Sequence, residues 1–61
     1  MHFSDGTYYS AVRDGWVTSF QVIGRNPDGT FDIRWLEGSI SSARKVEMVE
    51  WVDAYESLHK K

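Results

Sequence analysis

The chain has no cysteine, one proline, and no stretch near the roughly 18 apolar residues of a membrane span. Without cysteine there is no disulfide framework and no thiolate zinc site, and a reducing compartment is favoured. His2, Phe3, Ser4, Asp5 and Gly6 follow Met1 without the basic start and apolar run of a secretory leader. These absences predict a cytoplasmic, intracellular protein with no membrane contact, and the initial Met suits a complete small protein. An excess of cations is missing too. Residues 1–46 balance Asp5, Asp14, Asp28, Asp32 and Glu37 against Arg13, Arg25, Arg34, Arg44 and Lys45, and residues 47–61 carry four acids and two lysines. Affinity for nucleic acid comes largely from cations meeting phosphates, so a chain of formal charge −2 disfavours nucleic acid as partner.

Catalytic patterns are also scarce. His2 and His59 stand near opposite ends of the sequence and lack the i,i+4 spacing of a helical metal pair. No serine sits between glycines as in a nucleophile elbow, and no glycine-rich phosphate loop is present. A chain of 61 residues also has little room for a closed pocket. The sequence therefore predicts no enzyme activity, no metal and no cofactor.

What the chain does contain is regular punctuation. Asp5-Gly6, Asp14-Gly15, Asn26-Pro27-Asp28-Gly29 and Glu37-Gly38-Ser39 are spaced about ten residues apart, as turns of a meander or small barrel are. Glycine takes positive φ without steric cost, and Asp or Asn bonds its own backbone, which is why these pairs mark hairpins. Between them, strands are expected at about 7–12, 16–23, 30–36 and 39–46. The third is the clearest: Phe31, Ile33 and Trp35 alternate with Thr30, Asp32 and Arg34, as a strand with one buried face requires. The fourth is polar enough to read as an edge strand.

After Val46 the period changes from two to 3.6. Met48, Val49, Trp51, Val52, Tyr55 and Leu58 share one side of a helix expected at about 47–60, and Glu47, Glu50, Asp53, Ser57 and Lys60 the other. Glu56 and Lys60 make a favourable i,i+4 pair. No clear N-cap precedes this helix, so a start as early as Ala43, at the expense of the fourth strand, stays open. The expected core is Phe20, Val22, Phe31, Ile33, Trp35, Val52, Tyr55 and Leu58.

Tyr9-Ser10-Ala11-Val12-Arg13-Asp14-Gly15-Trp16 resembles the first hairpin of Tudor domains, and Phe20-Gln21-Val22 their second strand. The run from Asp28 to Gly38 is similar to their third strand and its acidic-Gly exit. A helix after such a sheet resembles chromodomains and small archaeal chromatin proteins. The resemblance covers residues 7–46 and the position of the helix. It implies an SH3-like, Tudor/chromo-like antiparallel barrel of four to five strands, mainly β, closed by a C-terminal helix, in a single domain spanning residues 1–61.

Three surfaces qualify as sites, each beside a plainer reading. Aromatic faces can hold a cation, and Tyr8, Tyr9, Trp16 and Trp35 are candidates for such a cage. In so small a chain, however, aromatics are needed for the core. Tyr9 and Trp16 flanking the first turn, with Asp14 and Glu37 supplying charge, form the principal candidate for a protein or peptide partner carrying a cationic group. Glu47, Glu50 and Asp53 on the helix form the alternative, weighed against an ordinary solvated face. The function expected is a non-enzymatic interaction module, a small accessory or regulatory protein binding a larger protein or peptide. By analogy alone, phages and other mobile elements carry such chains. The alternatives are a self-assembling protein, with a homodimer through exposed strand edges, and a nucleic-acid module using Arg13, Arg25, Arg34 and Arg44 on one sheet face.

Overall fold

A computed structural model describes residues 2–59. Four strands form one antiparallel meander: β1 (Tyr8–Arg13), β2 (Trp16–Arg25), β3 (Thr30–Trp35) and β4 (Ile40–Arg44), in the order β1-β2-β3-β4. The helix α1 (Lys45–Leu58) follows directly. β1 and β4 are not paired with each other, so the sheet stays open and the expected closure into a barrel is not formed. There is also no fifth strand among the described residues. With only five residues in β4, the chain turns into helix before its last strand can reach β1.

Turn chemistry sets the registers. Asp14 (φ 53°) and Gly15 (φ 82°) make a two-residue turn of the type that matches strand twist, between the paired residues Arg13 and Trp16. The third turn needs a left-handed residue after Leu36-Glu37, and Gly38 supplies it at φ 105°. The Gly38 amide then donates to the Trp35 carbonyl (2.8 Å), and the Trp35 amide to the Ser39 carbonyl (2.8 Å). At the second turn the Asp28 carboxylate accepts from the Thr30 amide (2.9 Å) and the Thr30 hydroxyl (2.7 Å).

Pairing divides the side chains between two faces. Tyr9, Ala11, Thr18, Phe20, Val22, Phe31, Ile33, Trp35, Ser41 and Ala43 point inward, toward the helix. Large side chains lie on the central strands β2 and β3, whereas the inward residues of the edge strands include the fully buried Ala11 and Ala43. The helix approaches β1 most closely, and β4 after it. Met48 and Val52 are its buried residues, and Trp51 meets Trp35 edge-on at 5.1 Å and Phe20 at 6.2 Å.

The helix begins at Lys45, between the two starts left open by the sequence. Arg44 is the last residue of β4 and also caps the helix, its amide donating to Glu47 Oε1 at 3.0 Å. This carboxylate closure at the third helical residue gives no signal at the cap position itself, where an arginine stands. The expected last turn at Lys60 and its pair with Glu56 lie outside the described residues.

Three core readings need correction. Tyr55, expected in the core, is only partly buried, lies outside the core cluster and has its ring 4.5 Å from that of His59. Leu58 is 60% exposed, because the helix has run past the sheet by its last residue. Phe3, expected nowhere in the core, is 1% exposed. Its ring meets Tyr9 edge-on at 4.9 Å and lies 6.1–6.2 Å from Phe20 and Phe31, so it seals the end of the sheet that the helix does not reach. Arg25 fastens this segment by donating from Nη2 to the Phe3 carbonyl (2.8 Å) and pairing with Asp5 (3.5 Å). Phe3→Ala should therefore cost about 3–5 kcal/mol, as truncation of a buried aromatic does, while Leu58→Ala should stay within about 0.5 kcal/mol of the parent. Urea titrations of the two variants check this; equal losses would refute the placement of Phe3 or of Leu58.

Candidate functional site

In a meander the first and third turns lie at the same end of the sheet. The Asp14-Gly15 and Glu37-Gly38 turns do so here, but they are staggered. The Leu36 amide donates to the Ser19 carbonyl (2.9 Å), so β3 ends opposite Ser19 while β2 starts three residues earlier, at Trp16. At about 3.3 Å per residue the first hairpin extends roughly 10 Å beyond the third turn. Trp16 stands on this extension, on the inner side with its partner Arg13, and is 77% exposed; Val17 and Leu36, also exposed, face the outer side.

Arg13 holds the extension against the body of the domain. Its guanidinium carbon sits 4.6 Å from the Trp35 ring centroid and 5.7 Å from that of Trp51. Trp35 is itself fixed, its indole N–H donating to Ser41 Oγ at 2.9 Å. Arg13 also lies 3.9 Å from the Asp14 carboxylate. Glu37 is turned back on its own loop, where it accepts a hydrogen bond from the Ser39 hydroxyl.

The structure separates several residues that the sequence groups together. Tyr9 is not at the first turn. It pairs with Phe20, four positions along β2 from Trp16, which is about 13 Å away. It is half-buried against the core, and its hydroxyl accepts from the Ser4 amide (2.8 Å). The proposed aromatic cage does not converge either: Tyr8 faces outward, Tyr9 inward, Trp16 stands on the hairpin extension, and Trp35 is buried. The aromatic faces that do meet a cation, Trp35 and Trp51, already hold Arg13. Trp35 carried the signal for this, since its alternation with Phe31 and Ile33 places it inward; the contribution of Trp51 depends on the tertiary path of the helix. Of the alternative site, Glu47 is committed to the helix start, and Glu50 and Asp53 are exposed. The four arginines do not share a face: Arg13 and Arg25 stack on inward aromatics, while Arg34 and Arg44 lie on the outer face.

Among the described residues no three His, Cys, Asp or Glu side chains are grouped to hold a metal ion. No helix of the described residues is long and apolar enough to cross a membrane. Comparison of the chain with protein-family models, curated proteins and solved structures finds no match.

Two outcomes follow. Arg13→Ala should release the hairpin: exchange of the Gly15 and Trp16 amides quickens and stability falls by about 0.5–1 kcal/mol, the range of a part-exposed cation–π contact. Arg13→Lys should recover part of this; no change in exchange would show the stacking to be incidental. At the second turn, the Thr30 amide and then its hydroxyl hold the Asp28 carboxyl below its ordinary value near 4. A depressed folded value contributes stability that is full above the unfolded value and lost as pH falls through the folded one. Thermal scans between pH 6 and 2 should thus show a steeper loss for the parent than for Asp28→Asn.

Proposed function

We propose that this chain is a non-enzymatic protein-interaction module, a small accessory or regulatory protein that docks on a larger protein or peptide through the turn end of its sheet. The observation that carries this reading is the exposure of Trp16, at 77%, on a hairpin pinned by its neighbour Arg13. A large aromatic side chain held out on a fixed backbone loses little conformational freedom on binding, and tryptophan is enriched among residues that dominate interface energies. Asp14 and Glu37 give this end negative potential, which favours a cationic group on the partner.

The competing docking surface is the helix face at Glu47, Glu50 and Asp53. It is the weaker one, because Glu47 already serves the Arg44 amide. Trp16→Ala combined with Glu37→Ala should abolish capture of the partner from native extract while leaving the thermal transition intact. Changing Glu50 and Asp53 to Ser should leave capture unaltered. The opposite pattern would move docking to the helix.

A further inference from the structure

The helix covers the inner face of the sheet, but among the described residues nothing covers the outer one. That face carries Tyr8, Val12, Val17, Gln21, Arg34 and Ile40 together with Asp32 and three serines, with Leu36 at its margin. Tyr8 and Ile40 are each 64% exposed, and Leu36 is 74% exposed. One row crosses all four strands in register, Tyr8–Gln21–Arg34–Ile40, so Arg34 lies near the centre of the face between Gln21 and Ile40, with Asp32 and Leu36 two residues either way along β3.

The pairing of the arginines distinguishes Arg34 from the rest. Arg13 meets Asp14 at 3.9 Å, Arg25 meets Asp5 at 3.5 Å, and Arg44 meets Glu47 at 3.8 Å. Among the described residues Arg34 alone has no carboxylate within ion-pair reach. Its one side-chain partner is neutral: Nη2 donates to Gln21 Oε1 at 2.8 Å. That bond orients the guanidinium across the face and leaves its other donors for a second acceptor. A guanidinium presents a planar fork that fits a carboxylate with two parallel hydrogen bonds.

We propose that the outer face binds a protein segment presenting an Asp or Glu carboxylate between apolar side chains, with the carboxylate on Arg34 and the apolar groups on Tyr8, Leu36 and Ile40. This rests on the reading of the chain as an interaction module and names the chemistry of its partner. Charge complementarity selects the occupant. Asp32, the acid of this face, keeps its charge but is held by Asn26 Nδ2 (3.0 Å) and Ser42 Oγ (3.2 Å) and makes no ion pair with Arg34, whose own charge is left to be matched by a partner.

The test is selection from a displayed library of random twelve-residue peptides, run on the full chain and on Arg34→Glu. Circular dichroism melts show first that the variant stays folded. The parent should select peptides enriched in Asp or Glu flanked by Leu, Ile, Val or aromatics. Arg34→Glu should switch the selection to Lys or Arg, and Arg34→Gln should bind the parent's best peptide about tenfold more weakly or worse. Amide shifts on adding that peptide should centre on Tyr8, Gln21, Arg34 and Ile40. Peptides selected without a carboxylate, or shifts confined to Gly15 and Trp16, would overturn the assignment while leaving a protein-binding role standing. Selection of no peptide by any form would overturn both. A concentration-dependent rise in mass abolished by Arg34→Glu would assign the face to a second copy. Binding of a single-stranded oligonucleotide lost in the same variant would assign it to nucleic acid. Either result overturns the proposal.

Discussion

Alanine at the inward positions of both edge strands is the constraint from which the rest of the architecture follows. Ala11 on β1 and Ala43 on β4 are fully buried, and the strands between them carry Phe20, Val22, Phe31, Ile33 and Trp35. A helix can come close only where the side chains beneath it are small. It therefore bridges the two edges over the alanines, and the bulky central residues fill the space under it. An open sheet of four strands leaves two edges whose unpaired backbone groups invite further pairing. The helix packs on the inner face, mainly against β1, and Trp51 reaches Phe20 and Trp35 on the central strands, so its fourteen residues complete the core.

That arrangement also decides which surfaces are left for a partner. The inner face is used up: every large inward side chain there touches the helix, Phe3 or Arg13. The hairpin extension is pinned by a cation that a ligand would otherwise supply, because Arg13 lies on Trp35 and Trp51. What is left is the outer face and the turn end that adjoins it. Leu36 belongs to both, following β3 off the outer face into the turn. Trp16 follows the inward parity of Thr18 and Phe20, whereas Arg34 and Leu36 face outward, so the two readings use different faces of the same sheet.

Much of this was legible in the residues. Turn chemistry alone located all three hairpins, because Asp-Gly and Glu-Gly at these spacings leave few other backbone solutions. Alternation placed Phe31, Ile33 and Trp35 inward without error. The failures have physical causes. Phe3 is a single apolar residue ahead of the first turn, with no period to reveal it; only the tertiary position of Arg25 gives it a partner. Tyr9 read as a hairpin flank because it is close to Asp14 in sequence, yet five residues of extended chain carry it well down the sheet. Barrel closure was what the Tudor-like resemblance implied; turn spacing suits a meander as well, since it fixes the number of strands but not whether the last one reaches the first. Arg13 as the cation on Trp35 and Trp51 was invisible, since it requires β1, β3 and the helix at once.

Exposed apolar side chains are ordinary on small proteins when they are scattered, and only their grouping carries information. Among the described residues eight large apolar side chains are exposed: Tyr8, Trp16, Val17, Ile23, Leu36, Ile40, Val46 and Leu58. Val46 and Leu58 stand apart at the two ends of the helix. The other six occupy the outer face and the turn end that continues it. A chain with balanced composition could have placed Ser, Thr or Lys at these strand positions, as it does at Ser10, Ser19 and Ser42, and kept the same hairpins. Stability does not require Ile40 or Tyr8 to be apolar, because neither touches the core. The same face also holds Arg34, the arginine left without a carboxylate. Apolar area and an unmatched charge are two independent departures from what folding alone demands, and they coincide on one surface.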